Sequence, residues 1–190
     1  MENIGLRARR KALTRQEIQE HAMRLFQERG YDETTVADIA EAAGVSSMTV
    51  FRHFPTKEDL VLSDEFDPVL AARIQARPAD QPLLRRIGDT LIESLAQATR
   101  AELDMMLARL KLGLATPALR ARWLDNEYQT RNAIVGVLDD GRHDTFHLQV
   151  VAGACLAATT TALIRWAESG GQQAPHELLT RALDILQEES

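Results

Sequence analysis

Between Ser46 and Phe54 the chain runs SSMTVFRHF, and its side chains divide by helical spacing. Val50 and Phe54 lie one helical turn apart, so both fall on one face and can be buried together. Ser47, Met48, Thr49, Arg52 and His53 are left pointing outward: short hydroxyls, a flexible thioether and two basic groups. Hydroxyls and cations of this kind bond phosphate oxygens, an arginine can bond a guanine edge, and a methionine can cover a thymine methyl. That chemistry is groove contact with nucleic acid. Bond-making chemistry lacks its usual signatures, since there is no glycine-rich phosphate loop, no nucleophile beside an evident base and no paired metal motif on one helix.

The elements around this stretch would hold it out to a partner. Thr35 can cap a helix whose inner face is Val36, Ile39, Ala40 and Ala43. Ala40 is small where two helices must cross closely, and Gly44 stands where a left-handed residue would end the first helix and turn the chain. Val45 fills the gap between the helices, and Ser46 caps the second one. This is a helix-turn-helix, the arrangement that presents its second helix to the major groove. An ordinary helical hairpin shares the pattern, so the flanking residues decide between the two.

Residues 14–61, TRQEIQEHAMRLFQERGYDETTVADIAEAAGVSSMTVFRHFPTKEDLV, resemble the DNA-binding domain of TetR-family transcriptional regulators nearly throughout. The matching features are Leu25-Phe26, Arg29-Gly30-Tyr31, Thr34-Thr35-Val36, Ile39-Ala40, Ala43-Gly44-Val45-Ser46, Thr49, Phe51, His53-Phe54 and Lys57-Glu58. The resemblance implies that Thr35, Ser46, Ser47 and Thr49 lie at the DNA surface, with Phe51, His53 and Lys57 near phosphates. Phe51 departs from the tyrosine common in the family. Without a phenolic hydroxyl it would pack on the sugar-phosphate chain rather than bond it. Met48 stands where relatives often carry a small residue.

Composition is compatible with this function. The 190 residues are 45% hydrophobic, enough for a sizeable core, here expected as a small domain joined to a larger one. The net charge of −6 looks wrong for a DNA binder, and the first sixty residues carry nine Lys/Arg against ten Asp/Glu. Placement matters more than the sum. Arg7, Arg9, Arg10, Lys11 and Arg15 cluster at the start, which suggests a basic flexible arm over 1–13 that could reach phosphates or a minor groove. A single cysteine excludes an intramolecular disulfide framework, and the first residues do not have the form of a secretory leader, so a cytoplasmic location is expected. Residues 150–164, VVAGACLAATTTALI, are apolar but short of the roughly 20 residues a membrane span needs, and imply a buried helix.

Beyond the DNA-binding domain (14–61), residues 62–190 have the pattern of a larger helical domain for ligand binding and dimerisation. A connecting helix from about Lys57, broken near Asp67-Pro68 and ended by Arg77-Pro78, precedes helices over 82–99, 101–114, 117–138, 144–169 and 175–188, for about nine in all. The fold expected is all-α. The family resemblance implies a homodimer through the last two helices and a small-molecule effector between the middle ones. Independently, the stripe Leu178, Leu179, Ala182, Leu183, Ile185, Leu186 is too wide for one partner helix. Candidate ligand residues are Met105, Met106, Arg109, Leu110, Trp123, Tyr128, Phe146, Val150, Cys155, Thr159 and Trp166, although each is also an ordinary core residue type. Arg109, Arg165 and Gln149 interrupt apolar helices and would anchor an acidic group if buried. Wording around FPTKEDLVLSDEFDP loosely resembles regulators of acyl-CoA-like ligands.

His143 and His147 share a helix face near Asp139, Asp140 and Asp144, but two histidines supply only two ligands, so no metal is expected; nor is any cofactor. Cys155, among apolar neighbours, should be an unreactive thiol. The expected function is a ligand-responsive dimeric repressor that binds a near-palindromic operator in double-stranded DNA. The alternatives are a helical protein-interaction module without DNA binding and a small all-helical enzyme.

Overall fold

The computed structural model describes residues 2–62 and 66–188, and of residues 2–8 and 66–68 the backbone alone. Among the described residues there are ten α-helices and no strand: α1 (Glu2–Arg29), α2 (Val36–Ala42), α3 (Ser47–His53), α4 (Asp59–Leu62), α5 (Phe66–Gln75), α6 (Leu83–Gln97), α7 (Arg100–Ala115), α8 (Pro117–Leu138), α9 (Thr145–Glu168) and α10 (Pro175–Glu188). The chain forms two compact units, residues 1–63 with 112–122 and residues 64–111 with 123–190.

In the first unit, Ile18, Ala22, Met23, Leu25 and Phe26 recur at helical spacing on α1 and are all buried. They meet Ile39 and Ala40 from α2, Val50 from α3, Phe54, and Leu60 and Val61 from α4. Thr35 accepts the Asp38 N–H while the Asp38 carboxylate accepts the Thr35 N–H, so the two satisfy each other's unpaired donors at the start of α2. Those bonds hold the Asp38 carboxyl below its ordinary range. Thr56 and Asp59 repeat the arrangement ahead of α4. α2 ends as the Gly44 N–H reaches Glu41 O and the Val45 N–H reaches Ala40 O. Gly44 has φ +65°, and open space where a Cβ would sit, so backbone conformation and not crowding calls for glycine there.

In the second unit, α6 supplies Leu83, Ile87, Leu91 and Leu95 to a core shared with Ile74 of α5, Ile134 and Leu138 of α8, Leu148, Ala152 and Cys155 of α9, and Leu179 and Leu183 of α10. α6 and α10 approach closely at Gly88, where a Cβ would stand 2.9 Å from Leu183 Cδ1. The apolar stretch over 150–164 belongs to the 24-residue α9, which by length and composition could cross a membrane. In this fold α9 instead packs on α6 and α10, as a core helix does.

Three expectations differ from the structure. The stretch taken for a flexible arm, 1–13, is helical from Glu2 and continuous with α1, because apart from Gly5 it is built of good helix formers. The connector is two helices, α4 and α5, which raises the total from nine to ten. Its expected break at Asp67-Pro68 falls inside the first turn of α5, where a proline's missing N–H breaks no helical bond.

Candidate nucleic-acid interface

α3 is short, and its position is fixed from both ends. Ser46 Oγ accepts the Thr49 N–H at 3.2 Å and lies 3.0 Å from Thr49 Oγ1, which caps the helix and ties the two hydroxyls together. At the other end Phe54 is fully buried and donates its N–H to Val50 O at 2.8 Å. Arg15 reaches over from α1, with its guanidinium 4.0 Å above the Phe54 ring and one N–H donated to the His53 carbonyl. This arginine, counted in the sequence with the basic cluster, therefore fastens α1 to the carboxy-terminal end of α3.

What α3 leaves outside is the face that could touch DNA. Met48 is 76% exposed and Phe51 45%, Arg52 is exposed, and Ser47 and Thr49 are half-buried. Thr35 and Ser46 are exposed caps whose hydroxyls are engaged in their own helix starts. His53 departs from the outward position expected of it. It is 9% exposed, because at the last turn of α3 its ring falls on the side that faces α1. Lys57 is also half-buried, with its ammonium 4.2 Å from the centre of the Tyr31 ring and 3.5 Å from Asp32 O. Burial and the Glu58 carboxylate push the Tyr31 phenol above its ordinary range, so the ring stays neutral beneath the lysine.

The helical start of α1 brings Arg10, Lys11 and Thr14 to an open groove of about 790 Å³ whose other wall is Thr49, Arg52 and His53. Two basic residues from α1 thus share a concavity with the exposed face of α3. Reading the sequence as an arm missed this, since only a helix fixes which of Arg9, Arg10 and Lys11 faces the groove.

The candidate ligand residues of the second unit do not converge. Leu110, Cys155 and Trp166 are buried, Met105, Met106, Arg109, Trp123 and Thr159 are half-buried, and Tyr128, Phe146 and Val150 are 52%, 75% and 52% exposed. Gln149 and Arg165 are exposed, the latter beside Glu168. The buried cation of this unit is Arg86 on α6, 5% exposed, with one terminal nitrogen 3.5 Å from Ile74 O. Burial pushes the Cys155 thiol up to about 12, so it carries no thiolate at neutral pH. The rings of His143 and His147 stack at 4.9 Å, while Asp144 caps α9 by accepting the His147 N–H at 2.8 Å.

The family model described as bacterial regulatory proteins, tetR family, matches residues 18–63, and one described as the MftR C-terminal domain matches residues 81–190. The chain is 31% identical to the HTH-type transcriptional repressor AcnR of Corynebacterium diphtheriae, over 93% of this chain and 91% of that protein. It is 30% identical to the HTH-type transcriptional regulator TcmR of Streptomyces glaucescens over 70% of this chain, spanning 62% of TcmR's length. Among solved structures, Thermus thermophilus FadR, a transcriptional repressor in complex with lauroyl-CoA, superposes with a TM-score of 0.55 at 27% identity, over 91% of this chain and 93% of that one. A capped helix-turn-helix matched by one family model, a carboxy-terminal helical region matched by another, and a repressor related over nearly the whole length agree: the chain belongs to the TetR family of DNA-binding transcriptional regulators.

Proposed function

We propose that this protein is a dimeric, ligand-responsive repressor that binds a near-palindromic operator through α3 and is released by a small, mostly apolar effector. The observation that carries the reading is the outer face of α3, where Met48, Phe51 and Arg52 stand exposed on a helix capped at one end by Ser46 and fastened at the other by Arg15. Such a face holds hydroxyl, apolar and cationic groups in one rigid frame, which groove contact requires. Arg52 is assigned to a guanine edge or a phosphate, Ser47 and Thr49 to phosphates or base edges, and Met48 to a thymine methyl. Lys57, with its charge over Tyr31, serves the fold as much as DNA, and His53 acts through packing. Arg10 and Lys11 extend the contact to phosphates flanking the half-site.

Dimerisation is assigned to α9 and α10. Phe146, Val150 and Ala157 lie exposed along one side of α9, and Ile185 is exposed on α10. Phe146 and Val150 thus serve an interface between copies rather than the lining of a cavity. Two recognition helices in a two-fold dimer call for half-sites about one helical turn of DNA, or somewhat more, apart. The effector is assigned to the second unit, and the lauroyl-CoA bound by Thermus thermophilus FadR supports an acyl-CoA-like class. Release is population shift: an effector that binds the free form a hundredfold better than the operator-bound form supplies roughly 2.7 kcal/mol. A cytoplasmic location follows from that role.

Arg52→Ala tests the reading. Its affinity for the operator should fall by about 1–3 kcal/mol with relaxed sequence preference if the arginine reads a base, or the slope of affinity against salt should fall by about 1 if it holds a phosphate. Sedimentation should still give the dimer. Unchanged affinity and an unchanged salt slope would remove α3 from the interface.

A further inference from the structure

One concavity of the second unit has no part in the functions above. A cleft of about 320 Å³ opens between the carboxy-terminal end of α6, the start of α7, the turn after α9 and the start of α10. Its apolar walls include Leu95, Leu103, Leu107 and Pro175. At its inner side stands Trp166, 3% exposed, whose indole Nε1–H has no acceptor among the described residues. A buried donor without an acceptor costs about 1–3 kcal/mol, so its retention calls for an explanation.

The turn after α9 keeps room at this donor. Gly170 and Gly171 both have positive φ, +72° and +83°, and the Gly171 N–H bonds back to Trp166 O at 3.0 Å. A Cβ at Gly171 would stand 2.7 Å from Leu107 Cδ2 and 3.7 Å from the indole nitrogen. Any larger residue would therefore intrude between α7 and the indole on the cleft side. The cleft's charges are already matched, since Arg100 Nε lies 3.0 Å from the Asp104 carboxylate. What remains unanswered is one neutral donor at the base of apolar walls.

We infer that this cleft binds a small neutral carbonyl compound, such as an aryl or alkyl ketone, whose oxygen accepts the Trp166 indole N–H while its hydrocarbon body lies against Leu103 and Leu107. A volume near 320 Å³ is at the small end of ligand sites. Charged ligands are disfavoured there, because no unmatched ion faces the donor. This site is separate from the acyl effector and from the DNA face, so its failure would leave both untouched.

The test uses the full-length protein labelled with nitrogen-15 and acetophenone as probe. The chain has two tryptophans, so its spectrum carries two indole N–H signals, and Trp166→Phe assigns them. Saturable binding should move the Trp166 signal downfield and leave that of Trp123 in place. Ethylbenzene, of the same shape without an acceptor, and benzoate, which is charged, should each bind at least tenfold more weakly. In Trp166→Phe, shown to be folded by an unchanged Trp123 signal, acetophenone affinity should fall at least tenfold; if that variant does not fold, the ligand comparison on the unaltered protein decides alone. A stationary Trp166 signal, or equal responses to acetophenone and ethylbenzene or to acetophenone and benzoate, would overturn the assignment.

Discussion

Phe54→Ala is expected to unfold the amino-terminal unit and abolish operator binding with it. The ring is fully buried at the end of α3, and Arg15 lies 4.0 Å above it. Removing a buried phenylalanine costs about 3–5 kcal/mol. The stacked arginine adds about 0.5–2 kcal/mol that is lost with the ring. Total stabilities of natural domains are about 5–15 kcal/mol, so the loss takes a large fraction of what a unit of this size has. Circular dichroism during denaturant titration should show an early transition, with α9 and α10 melting later. Arg15→Ala should give a smaller loss in the same transition, since it removes the clamp and keeps the core. A wild-type midpoint in Phe54→Ala would mean that this ring does not hold the recognition helix in place.

The second large effect is expected from placing charge on the outer side of α9 and α10. Val150→Asp combined with Ile185→Asp should give a folded monomer, because these side chains are 52% and 50% exposed in the single chain and carry none of its core. In an apolar interface each carboxylate would lose its water without gaining a partner, at an effective cost of several kcal/mol per ion. Operator affinity should then fall by roughly 10²–10⁴, the gain that linking two half-site contacts supplies. Sedimentation separates this result from misfolding, as does an unchanged helical signal. A dimer that survives both substitutions, with operator affinity intact, would place the interface elsewhere.

Much of the fold was legible because its signals are local. Thr35, Gly44 and Ser46 mark the ends of α2 and α3 through backbone bonds within a few residues, and Val50 and Phe54 declare their burial by spacing. The five helices from α6 onward are bounded by Pro82, Pro117, Gly141, the Gly170-Gly171 pair and Pro175, which punctuate any helical chain. What was not legible depends on residues distant in sequence. His53 looks basic and exposed at the end of a polar face, yet α1 covers it. Arg15 belongs to a run of cations by sequence and to the Phe54 ring by contact. The search for a buried cation fell on Arg109 and Arg165, set in apolar helices. Arg86, beside Arg85, has the look of a solvated pair, and only the packing of α6 on α5 shows that its side chain is inside. Phe146 and Val150 have the composition of cavity lining and the exposure of an interface, a distinction that periodicity cannot draw.

The most direct test of DNA recognition by α3 is selection of bound fragments from random double-stranded DNA by the purified protein, with each enriched fragment titrated at two salt concentrations. The expected result is one enriched near-palindrome whose half-sites lie about one helical turn or somewhat more apart, bound by a dimer, with affinity that falls steeply as salt rises. Absence of any enriched sequence at low salt, from protein shown to be folded and dimeric, would contradict operator binding through α3 by the unliganded protein.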